Sequence, residues 1–198
     1  MVLRLLYDNR FNLNHILTPM KNSITPFLIL FAIVLLGCVE ATFPCPMPYN
    51  RANKAFFPSD MQGDWTYKGD SNELEKNITI NAKYVDLGDE NIVLSDRTVL
   101  RRFNGYYILS TYLDKVDRFS VLLAKLNSNV LSLYKFDCED EEKIKYWKTI
   151  LGDESVEVIT KNNKGVDIEE IRLSPANNST FRQLLTKQSL THIGDYVR

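Results

Sequence analysis

The sequence predicts a mostly-β domain carrying two helices, and three observations support this. From Gly63 to Ile171, short runs alternate apolar and polar residues, the period of a strand with one buried face. The breaks between runs are too brief for crossover helices, so neighbouring strands should run antiparallel as a meander. Helical spacing is confined to stretches near 139–151 and 175–188. The expected architecture is a strongly curved sheet or small barrel with an apolar interior.

The strands follow in order. Gly63-Asp64-Trp65-Thr66-Tyr67 sets Trp65 and Tyr67 on one face. Lys76 to Tyr84 reads as one strand with Ile78, Ile80, Ala82 and Tyr84 on one side. Asn91–Leu94 and Thr98–Arg102 come next, separated at Ser95-Asp96. Tyr106–Tyr112 is rich in the aromatic and β-branched residues that suit a pleated surface. Arg118–Leu126 and Val130–Phe136 read as a hairpin across Asn127-Ser128-Asn129. A last hairpin pairs Ser155–Ile159 with Val166–Ile171 across Asn162-Asn163-Lys164-Gly165.

The first helix is marked by its charges. Acids gather from Asp137 to Glu142, and Lys143, Lys145 and Lys148 follow, an order that complements the helix dipole. Ile144, Trp147 and Leu151 make its apolar stripe, and Gly152 ends it. Ser174-Pro175 opens the second helix, with Phe181, Leu184 and Leu185 on one side.

The amino terminus bears on compartment. Phe27 to Gly37 is eleven residues without a polar side chain, too short to span a bilayer and suited to the apolar region of a signal peptide. Lys21 supplies the positive start. Met20 to Gly37 therefore reads as a complete signal peptide, and residues 1–19 as a start-codon misassignment. Leu35-Leu36-Gly37-Cys38 resembles the lipobox of bacterial lipoproteins. The resemblance implies cleavage after Gly37, lipid on the Cys38 thiol and anchoring in the membrane of a Gram-negative type envelope. Val39 follows the cysteine where such lipoproteins carry Asp for inner-membrane retention, which implies the outer membrane. The competing reading is ordinary signal cleavage after Val39-Glu40-Ala41.

Residues 38–60 carry Pro44, Pro46, Pro48 and Pro58 and read as an extended tether, leaving 61–198 as the globular domain. With 44% hydrophobic and 11% aromatic residues the chain is rich enough in apolar groups to fold. Removing residues 1–37 takes Arg4, Arg10, Lys21 and Asp8 and leaves a net charge of −3, so no electrostatic argument favours nucleic acid. Cys45 and Cys138 form a disulfide candidate in an oxidising compartment. No C-x-x-C or Cys/His cluster indicates a metal or cofactor.

Gly63-Asp64-Trp65 also resembles the Gly-x-Trp start of lipocalins, which implies a barrel holding a small apolar ligand. The acidic run 137–142 reads as helix capping before it reads as a catalytic pair. His192 has no Gly-x-Ser-x-Gly elbow to serve, and it lies in the last seven residues, where chains are often poorly ordered. Arg97, Arg101 and Arg102 are candidates for an anionic ligand. Asn77 and Asn178 stand in Asn-x-Thr acceptors. The expected role is thus a lipid-anchored, non-enzymatic binding or accessory protein of the cell envelope, with an envelope protein as partner. The alternatives are a lipocalin-like carrier and an envelope hydrolase acting through carboxylates.

Overall fold

A computed structural model describes residues 40–69, 77–88, 91–162 and 166–198. The signal-peptide segment 20–37 and the lipidation candidate Cys38 lie outside the described residues. The protein is mostly β, with twelve strands in one branched sheet and two α-helices among the described residues. The strands are β1 (Glu40–Phe43), β2 (Gly63–Tyr67), β3 (Ile78–Ile80), β4 (Tyr84–Asp86), β5 (Asn91–Val93) and β6 (Thr98–Phe103). There follow β7 (Tyr106–Leu113), β8 (Arg118–Asn127), β9 (Val130–Lys135), β10 (Val156–Asn162), β11 (Val166–Leu173) and β12 (Thr191–Val197). Helix α1 spans Glu141–Leu151 and α2 spans Asn178–Gln183.

The ten-residue strand β8 organises the sheet. One of its edges pairs with β7, from Tyr107↔Ala124 to Leu113↔Arg118. The other edge is shared. Its first half pairs with β1 at Thr42↔Ser120 and Phe43↔Phe119, and its second half pairs with β9 from Leu122↔Lys135 to Asn127↔Val130. From this fork one branch runs β1-β11-β10, and the other runs β9-β12-β2-β3-β4-β5.

Because side chains alternate across a strand, β7 and β8 wall two cores. Tyr107 and Leu109 face one with Trp65, Ile78, Ile80, Leu100, Leu131 and Tyr196, enclosed by the curl of the longer branch. Ile108, Val121 and Leu123 face the other, with Phe43, Trp147, Ile171 and Phe181. Among the described residues the curl is not closed by a continuous ladder. Segment 54–57 bridges the gap, where the Lys54 amide donates to the Leu100 carbonyl at 2.8 Å and the Phe57 amide donates to the Ala82 carbonyl at 2.8 Å.

Four expectations are corrected. The 38–60 segment is not a tether outside the domain from residue 40 onward: β1 is an interior strand, parallel to β11 and antiparallel to β8. Phe43 and Met47 are fully buried there. The prolines constrain only the chain after Phe43, and Arg101 fixes that chain by donating from Nη1 to the Pro46 and Pro48 carbonyls at 2.5 and 2.7 Å. Second, the strand expected from Lys76 to Tyr84 is two strands. The Asn81 amide donates to the Tyr84 carbonyl, so Ile78 and Ile80 are buried while Tyr84 is exposed. Third, α2 ends at Gln183, a short helix capped by Asn177. Fourth, the terminal residues form β12, set between β9 and β2.

Candidate functional site

The outer face of β9 and β12 carries a cluster of polar side chains. Opposite registers set Asp195 against Ser132 and His192 against Tyr134. A register shift between His192 and Gly194 puts an extra residue into β12, which turns His192 and Asp195 to the same side. The Ser132 hydroxyl donates to Asp195 Oδ1 at 2.6 Å, and His192 Nε2 lies 2.8 Å from the same oxygen. The Ser132 hydrogen bond, then the His192 contact, hold the Asp195 carboxyl below the usual carboxylate range. The His192 ring packs on Tyr134 at 5.2 Å between centroids, and Tyr134 meets Tyr106 edge-on at 5.8 Å. Lys125 Nζ stands 5.7 Å from the Tyr106 ring.

These three residue types can make a nucleophilic triad, but their order here is wrong for one. A serine nucleophile needs the imidazole against its hydroxyl and the carboxylate behind the imidazole. Here the carboxylate sits between the two and accepts the serine hydrogen bond. The cluster is a half-exposed hydrogen-bonding strip flanked by aromatic rings.

A second polar cluster lies where β1, β8 and β11 meet. Glu170, 3% exposed, accepts from the Thr42 hydroxyl at 2.6 Å and from Arg172 Nε at 3.1 Å. Arg118 Nε donates to Thr42 Oγ1 at 2.8 Å, and Nη2 reaches the Leu173 carbonyl at 3.1 Å. Burial lowers the Arg118 pKa from the ordinary arginine value. Every member has partners, so the cluster clamps β1 between its two neighbours.

The outer cleft over β2 to β4 has a volume of about 300 Å³ and is lined by Asp64, Thr66, Asn77, Thr79 and Asp86 over Trp65 and Ile78. Its polar groups are engaged locally. Thr79 Oγ1 donates to Asp64 Oδ1 at 2.7 Å, and Asp86 Oδ1 accepts from the Gly88 amide at 2.8 Å. Trp65 donates its Nε1 hydrogen to the Met61 carbonyl at 2.7 Å and lies under the Arg198 guanidinium, 4.9 Å from the ring centre.

The other candidates from the sequence have structural partners. Arg97 pairs with Asp114 and covers the Tyr112 ring. Arg101 is held by the proline carbonyls and by Asn53 Oδ1. Arg102 lies over the Tyr107 ring at 5.3 Å. The three arginines do not converge on a common anion site. Asp140 caps α1 by accepting from the Glu142 and Lys143 amides, and it pairs with the Lys143 ammonium. Asn77 Oδ1 accepts from the Tyr67 amide, and Asn178 Nδ2 donates to the Tyr49 carbonyl.

The disulfide candidates Cys45 and Cys138 are not bridged to each other in this structure. Both belong to the core of Phe43, Trp147 and Phe181, Cys138 within it and Cys45 at its margin. Burial pushes the Cys45 thiol up, against the smaller pull of Arg101 and Arg118. Among the described residues no three His, Cys, Asp or Glu side chains converge as metal ligands. No helix among them is long and apolar enough to cross a membrane.

Ser132, Asp195, Arg118 and Glu170 were not singled out by sequence reading. The only local signal was Gly194 inside a β-rich terminus, where an isolated glycine marks a bulge. No family model, curated protein or solved structure matches this chain.

Proposed function

We propose that this chain is a lipid-anchored envelope lipoprotein. Cys38 becomes the acylated first residue, and the β domain serves a non-enzymatic binding or accessory role at the membrane, the outer one by the Val39 criterion. The observation that carries this reading is the position of β1. Processing in front of Cys38 leaves β1 whole, since it begins at Glu40. The rival cut after Ala41 would remove half of the strand and leave Thr42 as the first residue. Thr42 is fully buried and paired on both sides, and burying an amino-terminal charge there is strongly unfavourable.

Binding is favoured over turnover by how the reactive groups are used. The serine of the β9–β12 cluster donates to carboxylate rather than to imidazole, and Asp140 at the acidic run caps a helix. A lipocalin-like carrier has less support, because Trp65, Met61, Leu100 and Leu131 fill the interior of the curl. The half-exposed strip of Tyr134, His192, Asp195 and Lys125 is the surface this reading offers to an envelope partner.

The test is fractionation of the full chain in a Gram-negative host. Cys38→Ala should move the protein from the carbonate-washed membrane to the soluble fraction. Retention of the variant in washed membranes would sink the anchor.

A further inference from the structure

Strands β6 and β7 are joined through Asn104 and Gly105, whose φ angles are 51° and 81°. Two positive φ values in an Asn-Gly pair make the tight turn that folds a strand back on its neighbour. The turn sets Phe103 opposite Tyr106, so both rings lie on the same face of the sheet. On that face Phe103 packs beside Phe181 of α2, with 6.2 Å between centroids.

Three cations gather on these two rings. Arg182 follows Phe181 on α2, and its guanidinium carbon lies 5.3 Å from the Phe103 centroid. Arg51 reaches the same ring from the segment after the prolines, at 5.6 Å. Asn178 seats that segment against α2 by donating from Nδ2 to the Tyr49 carbonyl at 2.9 Å. Lys125 Nζ stands 5.7 Å from the Tyr106 ring.

The use made of the other arginines sets Arg51 and Arg182 apart. Arg97, Arg118 and Arg172 pair with carboxylates, and Arg101 and Arg198 donate to backbone carbonyls. Among the described residues the Arg51 and Arg182 side chains have neither an ion pair nor an oxygen acceptor. Both are exposed, over a Phe103 ring that is buried. Two like charges on one ring repel, and an anion between them lowers the energy of both. The chain as a whole has a net charge of −1, so this attraction is local. A carboxylate brings a single charge and suits one fork. A phosphate monoester brings about −1.5 to −2 at pH 7 and three acceptor oxygens, which suits two forks.

We infer that the β6–β7 turn and α2 form a phosphate-binding site, with Arg51 and Arg182 as its two forks and Lys125 at its edge. The phosphate of a soluble ester and that of a lipid headgroup present the same group to it. The site does not depend on acylation of Cys38.

The test is isothermal titration calorimetry of the full chain in a nonionic detergent. The probes are inorganic phosphate and the water-soluble lipid dihexanoyl phosphatidic acid, with acetate as the carboxylate control. Saturable phosphate binding is expected, and Arg51→Ala or Arg182→Ala should each weaken it about tenfold. The double alanine variant should abolish it. Arg51→Lys with Arg182→Lys keeps both charges without the planar forks and should bind more weakly than wild type but measurably. Arg97→Ala, which disturbs an arginine paired elsewhere, should bind as wild type. Tighter binding of dihexanoyl phosphatidic acid than of phosphate, lost in the double variant, would identify a lipid headgroup as the source. Equal affinities would identify a soluble phosphate ester. The site is overturned by absence of saturable phosphate or phosphatidic acid binding up to about 10 mM. Acetate binding as tightly as phosphate overturns it too, as does unchanged affinity in a double variant that retains a cooperative thermal transition.

Discussion

Asp195 gains its properties entirely from its neighbours. It accepts from Ser132 across the ladder and contacts His192 on its own strand, and these interactions depress its pKa. A carboxyl with a depressed folded pKa contributes stability that is present above its unfolded value, about 3.9, and lost as pH falls through the folded value. Asp195→Asn keeps an acceptor for Ser132 but removes the charge. The variant's melting temperature should fall less than that of the wild type as pH is lowered through this window, as differential scanning fluorimetry would show. A second residue-scale constraint is steric. The Tyr67 ring spans from Gly69 to Gly194, and a Cβ on Gly194 would lie 2.6 Å from its Cε2 while one on Gly69 would lie 2.0 Å from its Cε1. The ring cannot shift away from one glycine without approaching the other. Gly194→Ala should therefore destabilise the protein by about 1–3 kcal/mol, the usual range for overpacking. Much of that loss should disappear in a Tyr67→Ala background, which a double-mutant cycle by urea unfolding would measure.

At the scale of elements, local chemistry separates what was legible in the sequence from what was not. Helix α1 could be read directly: Asp140 caps it, Glu141 and Glu142 occupy the first turn, and Trp147 is the buried residue of its apolar stripe. Asp140→Ala should lower the melting temperature by about 2–5 °C through loss of the cap. The strands from β6 to β9 were legible for the same reason, since their alternation and turns are local. β12 was not, because the shift at His192/Gly194 interrupts its period of two, and the Ser132–Asp195–His192 cluster was hidden with it. β1 was hidden by the prolines that follow it and by partners far along the chain, Glu170 being 130 positions from Glu40. The proline signal was real, but it describes the segment from Pro44 to Pro48, which Arg101 and the Asn178–Tyr49 contact hold against the sheet. Composition could not show that such a segment is packed, because burial depends on which distant side chains surround it.

For the whole molecule, the shared wall makes the two cores interdependent. β7 and β8 present one set of side chains to the curl and the alternate set to the helical side, so loosening either core exposes the other face of the same strands. β1 closes the helical side, where Phe43 packs against Phe136 at 5.2 Å and edge-on against Phe181 at 5.8 Å. The folded unit therefore has to begin no later than Glu40, not near residue 61. A chain beginning at Val39 should unfold cooperatively. One beginning at Tyr49 loses β1, Phe43 and Met47 together. Truncating one buried aromatic to alanine already costs about 3–5 kcal/mol, and typical total stability is only about 5–15 kcal/mol. The shorter chain should thus show no cooperative transition by circular dichroism. Phe43→Ala in the longer chain should keep a single transition at a lower urea midpoint. Cooperative folding of the chain that begins at Tyr49 would show that the curl stands without β1, and the wall would then not couple the two cores.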